Sequence, residues 1–114
     1  MKKFLVLYLI PASVLADWLK TDADKRKAAE DKMRGEWNEW MRDHAGMIGD
    51  TKACGKTKRV SASGTSDIKN DIHLYSIVEA GSQEEAAQLF EGHPHLQIPQ
   101  SSIEVMEIRP LTGM

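Results

Sequence analysis

A single antiparallel α+β domain is the fold class this sequence predicts, and three observations predict it. Strand-like apolar runs at residues 4–10, 72–80 and 103–108 are separated by segments with helical spacing. A capping box, Ser82-Gln83-Glu84-Glu85, opens the last of those helical segments. With 114 residues the chain can bury one core but not two, so residues 1–114 are expected to form one domain.

The first strand, FLVLYLI, is apolar without interruption and ends at Pro11, the pattern of a strand covered on both faces. Its alternating sets are Phe4, Val6, Tyr8, Ile10 and Leu5, Leu7, Leu9, and either set can face a helix. Ser13 and Asp17 are placed to cap a short helix containing Trp18 and Leu19, and Thr21 or Asp22 to start a longer one. The longer helix is predicted from about Asp24 to His44, with Ala29, Met33, Trp37, Trp40, Met41 and His44 on one broad face. Gly46 stops it, and His44 falls in the last turn, where the helix dipole favours a cation. Residues 47–54 begin a second strand, and Gly55-Lys56 makes a turn. The polar, partly β-branched run from Thr57 to Ser63 then forms an arm, and residues 64–71 read as a polar loop. The next strand alternates Ile72, Leu74, Ser76, Val78 with His73, Tyr75, Ile77, Glu79. A helix with Ala86, Ala87, Leu89 and Phe90 follows, and Ile103 to Ile108 close the sheet.

This order, βαββαβ with an added hairpin arm, is that of a ferredoxin-like antiparallel sheet with two helices on one face. The uncovered face then carries His73, Tyr75 and Ile77, a set too apolar to remain wet. Pairing two sheets across a twofold axis covers it, so a homodimer is expected.

Composition excludes several function classes. Hydrophobic residues make up 41% and charged residues 28%, ordinary globular values, with a net charge of −2. The densest basic run, residues 52–59, has no aromatic to stack on bases, so no nucleic-acid partner is expected. Gly55-Lys56-Thr57 imitates a phosphate loop. Asp50 stands where the first glycine is required, however, and a strand follows instead of a helix, so no nucleotide cofactor is expected. Cys54 has no disulfide partner within the chain and suits a reducing compartment.

Met1-Lys2-Lys3, the apolar run and Ser13-Val14-Leu15-Ala16 imitate a secretory signal. Pro11 nevertheless ends the run at about the shortest length such a signal takes, and cleavage after Ala16 would remove the first strand. The expectation is a cytoplasmic protein. No apolar stretch is long enough to span a bilayer, so no membrane partner is expected.

The chemistry concentrates in Gly92-His93-Pro94-His95-Leu96. Pro94 fixes its own φ and biases His93 toward extended backbone, so both imidazoles sit on a stiff connection. His93 and His95 are the candidate catalytic acid or base. Trp37 and Trp40 offer walls for an apolar pocket, and His44, His73 and Tyr75, with Tyr8, offer polar contacts. No second spaced ligand motif accompanies His93 and His95, so no metal site is expected.

Several stretches together resemble the YCII-related family of the dimeric α+β barrel superfamily. They are Tyr75-Ser76-Ile77-Val78-Glu79-Ala80, the helix opening at Ser82, Glu84, Glu85 and Ala86, His93-Pro94-His95-Leu96, and Ile103-Glu104-Val105-Met106-Glu107-Ile108-Arg109-Pro110. The resemblance implies a small dimer with a pocket in each protomer, and family members are linked to lactone or dehalogenation chemistry or to no assigned reaction. The chain departs from the family at Arg34-Gly35-Glu36-Trp37, where a catalytic histidine is expected, and around Gly64-Thr65-Ser66-Asp67, which replaces an Asp-Gly-Pro-Phe motif. Two functions are therefore carried forward. One is a cofactor-free enzyme using histidine acid–base chemistry on a small molecule, of isomerase or lyase type. The other is a non-catalytic dimeric ligand-binding or structural domain.

Overall fold

The computed structural model describes residues 1–112. Ten elements follow one another: β1 (Lys2–Leu9), α1 (Ala12–Leu19), α2 (Ala23–Asp43), β2 (Ile48–Ala53), β3 (Thr57–Ser61), β4 (Gly64–Ile68), β5 (Ile72–Ala80), α3 (Gln83–Leu89), a 3-10 turn (Pro94–Gln97) and β6 (Ser102–Glu107). Four strands form an antiparallel sheet in the order β2-β5-β1-β6, the ferredoxin-like arrangement, and β3 and β4 form a separate hairpin.

Register decides which apolar set meets the helices. Phe4 lies opposite Val78, Val6 opposite Ser76 and Val105, and Tyr8 opposite Leu74 and Ile103. Phe4, Val6, Tyr8 and Val78 are completely buried, and with Ala80, Ala86 and Phe90 they form the core under α2 and α3. Fully burying a side chain of this size is worth roughly 1.5–3 kcal/mol, so these residues carry much of the stability. Leu5, Leu7, Tyr75, Ile77 and Met106 fall on the opposite face, which no helix covers among the described residues.

Two irregularities shape the sheet. His73 is the extra residue where β5 slips against β1 between Tyr8 and Leu9. Gly49 is the extra residue where β2 slips against β5, and a Cβ there would stand 3.3 Å from the Ile77 carbonyl oxygen.

α2 is apolar only where it meets the sheet. Met33, Trp37, Trp40, Met41 and His44 are half-buried, whereas Ala29 is exposed, contrary to the predicted face. Its exposed length is held by pairs one turn apart, Arg26–Glu30 at 3.9 Å, Lys27–Asp31 at 3.7 Å and Lys32–Glu36 at 3.4 Å. Asp22 caps it by accepting from the Asp24 and Lys25 N–H groups at 3.2 and 3.3 Å. Asp22→Ala should cost about 1 kcal/mol, read as a lower urea midpoint with unchanged slope at fixed protein concentration.

Two local expectations are corrected. Ser13 lies inside α1 and Pro11 occupies the N-cap without any side-chain cap, because proline suits a position that needs no N–H donor. The segment read as a polar loop contains β4, which pairs Gly64 with Ser61 and Ile68 with Thr57. The capping box at α3 is present: Ser82 Oγ accepts from the Glu85 N–H at 3.1 Å, while the Glu85 carboxylate accepts from the Gly81 N–H at 3.1 Å.

Candidate site around His93

Gly92, with φ at +73°, turns the chain sharply after α3 and delivers His93 beneath α2. His93 caps the 3-10 turn, its Nδ1 accepting the His95 N–H at 3.0 Å. An accepting Nδ1 leaves the ring proton on Nε2. That Nε2 is the one buried side-chain nitrogen or oxygen without a hydrogen-bond partner among the described residues.

Aromatic rings enclose it. Trp37 and Trp40 each lie 4.4 Å from the His93 ring, centroid to centroid, at 85° and 65°. Tyr8 stands at 5.6 Å and Phe90 at 5.8 Å. His44 stacks on the far side of this group, 4.3 Å from Trp40, its Nδ1 2.8 Å from the Trp40 carbonyl. His93 is 1% exposed, and burial, aided by the neighbouring His95 and His44, pushes its pKa from 6.5 down to about 4.

His95, equally buried, has a different task. Its Nε2–H donates to the Leu9 carbonyl at 3.0 Å and ties the 3-10 turn to the end of β1. Burial lowers its pKa too, opposed by the carbonyls of Leu9 and Ser102. Ser101 Oγ donates to the His95 carbonyl at 2.9 Å, which fixes the turn from its other end.

A chain of hydroxyls lies beneath. Tyr8 Oη and Ser76 Oγ are 2.7 Å apart, and Ser76 Oγ and Thr51 Oγ1 are also 2.7 Å apart. Burial raises the Tyr8 pKa, partly offset by Ser76, so Tyr8 stays a neutral phenol at physiological pH.

The structure thus brings His93, His95, Trp37, Trp40 and His44 together, leaves Tyr75 apart, and sets His73 outside the aromatic group but near enough to His95 to lower its pKa. Tyr75 lies opposite Leu7 on the uncovered face, because side chains alternate along β5 and Ser76 points inward. His73, at the bulge, lines a different cleft beside α1. Phe90 was absent from the sequence reading of the site, and Tyr8 entered it only as a polar contact. Their signals were the parity that Tyr8 shares with Phe4 and Val6, and the nearness of Phe90 to His93 in the chain. Among the described residues no group of three His, Cys, Asp or Glu side chains could hold a metal ion. No helix among them is long and apolar enough to cross a membrane.

The fold and this interior define an α+β protein with a ferredoxin-like antiparallel sheet. One solved structure that shares the fold is 5-chloro-2-hydroxyhydroquinone dehydrochlorinase from Burkholderia phenoliruptrix AC1100, in complex with 2,5-dihydroxybenzoquinone. It superposes with a TM-score of 0.50 at 12% identity over 91% of each chain. No family model and no curated protein matches the sequence.

Proposed function

We propose that the chain is a cytoplasmic homodimer of the YCII-related kind and a cofactor-free enzyme acting on a small oxygenated molecule at His93. The observation that carries this reading is the unpartnered Nε2–H in an aromatic enclosure. A buried donor without an acceptor costs about 1–3 kcal/mol, a cost that a ligand oxygen in that position removes.

Of the acid and base roles expected from sequence, the geometry favours the hydrogen-bond donor. The His93 Nδ1 lone pair is engaged by the His95 N–H, and a pKa of about 4 keeps the ring neutral at physiological pH. A neutral imidazole N–H donates to a ligand's carbonyl or phenolic oxygen and stabilises negative charge that develops on that oxygen. His95 is then a positioning residue, and Trp37, Trp40 and Phe90 supply flat apolar surface for a ring. The quinone bound by the dehydrochlorinase of the same fold is a molecule of that type.

The closeness of the packing favours a second reading, a non-catalytic dimeric domain. Rings at 4.4 Å already occupy the space beside His93, and an edge-to-face contact between an imidazole and an indole is favourable in itself.

His93→Asn separates the two. Asparagine retains an acceptor for the His95 N–H and deletes Nε2. In a thermal-shift series with 2,5-dihydroxybenzoquinone, hydroquinones and small lactones, at least one compound should raise the Tm of the wild type and none that of His93→Asn. If no compound raises the wild-type Tm, or if both proteins respond equally, the non-catalytic reading stands.

A further inference from the structure

A cleft lies away from His93, between α1, the base of the β3–β4 arm and the start of β5. The cleft there measures about 1240 Å³. Small-molecule pockets commonly span roughly 300–1000 Å³, so an elongated ligand fits.

One wall is the apolar stripe of α1. Ala12, Leu15, Ala16 and Leu19 recur at helical spacing along the cleft. No residue of α1 is buried, and Leu19 is 59% exposed. Ile68 and Ile72 face the stripe from the arm and from β5. The rim is cationic: Lys56, Lys58 and Lys69 line it, against the single carboxylate of Asp67. Asp67 is taken by Lys58 at 2.6 Å, and Lys56 and Lys69 make no ion pair among the described residues. An apolar trough ending in two uncompensated ammonium groups is complementary to an apolar body with an anionic head.

We infer that this cleft binds an amphipathic organic carboxylate, its tail along α1 and its head group between Lys56 and Lys69. The site is independent of the reading given to His93.

The test titrates the ¹⁵N-labelled full chain with decanoate below its micellar concentration and follows the amides by NMR. Decyltrimethylammonium, with the same tail and the opposite charge, is the control. Decanoate should shift the amides of Leu15, Leu19, Ile68 and Ile72, and the cation should not. Replacing both free lysines, Lys56→Glu with Lys69→Glu, should weaken decanoate binding about tenfold. Lys27→Glu with Lys32→Glu, outside the cleft, should leave it unchanged. Absence of saturable shifts, equal binding of the cation, or undiminished binding by the cleft variant overturns the inference. Dilution-dependent shifts of the same amides without any probe would assign the cleft to a second copy of the chain, and would overturn it equally.

Discussion

Ile77→Glu should abolish soluble folded protein, whereas Ala28→Glu, on the exposed side of α2, should behave as wild type. Ile77 lies opposite Leu5 and Asp50 in the middle of the sheet face that no helix covers among the described residues. Leu5, Leu7, Tyr75 and Met106 surround it. Apolar surface of that extent is usually an interface, and a twofold axis lets one face serve both partners. The proposed homodimer should bury well over roughly 1000 Å² in total. A carboxylate at its centre would face its own symmetry mate in a dry interface, at a cost of several kcal/mol and comparable to the whole stability of a domain. Solubility after expression and sedimentation velocity check this. A folded wild-type monomer at micromolar concentration, or a folded soluble Ile77→Glu monomer, would refute the dimer.

Acid should unfold the protein through His93. Its pKa is 6.5 in an unfolded chain and about 4 in the fold, so between these values the unfolded state binds more protons. The stability contributed by the neutral ring is therefore complete above pH 6.5 and is lost as pH falls toward 4. Integrated over that window the loss is roughly 3 kcal/mol. His95, lowered in the same direction, adds to the slope. Urea midpoints at several pH values should fall steeply below pH 6.5 in the wild type and less steeply in His93→Asn. Equal slopes in the two proteins would show that His93 titrates in the fold as it does in the unfolded chain.

The sheet and its two covering helices were legible because their residues alternate or repeat under strong burial. Tyr8, Val6 and Phe4 share a parity, Ser82 and Glu85 spell a cap, and Trp37 and Trp40 stand at helical spacing. The strand β4 was not legible, since nearly all of it is exposed and a strand without a buried face has no alternation to display. Pro94 alone could place His93 and His95 together on a stiff turn. It could not divide their labour, because that depends on which ring nitrogen meets the His95 N–H and which meets the Leu9 carbonyl, 86 residues away in the chain. The surroundings of His73 were not legible for a related reason: a bulge in β5 is set by pairing with β1, and no local pattern marks it.

The place of β1 in the sheet has a consequence for the nascent chain. Leu5 is synthesised well before its two cross-strand partners, Ile77 and Met106. At about 5–20 residues per second, the most apolar strand waits several seconds with both edges unpaired. Until β6 is synthesised, one edge of β1 remains a template for any extended segment nearby. Yield in cells should therefore depend on what shelters residues 2–9 during translation as much as on the stability of the finished fold. The arm, whose strands pair only with each other, forms without waiting for either end of the chain.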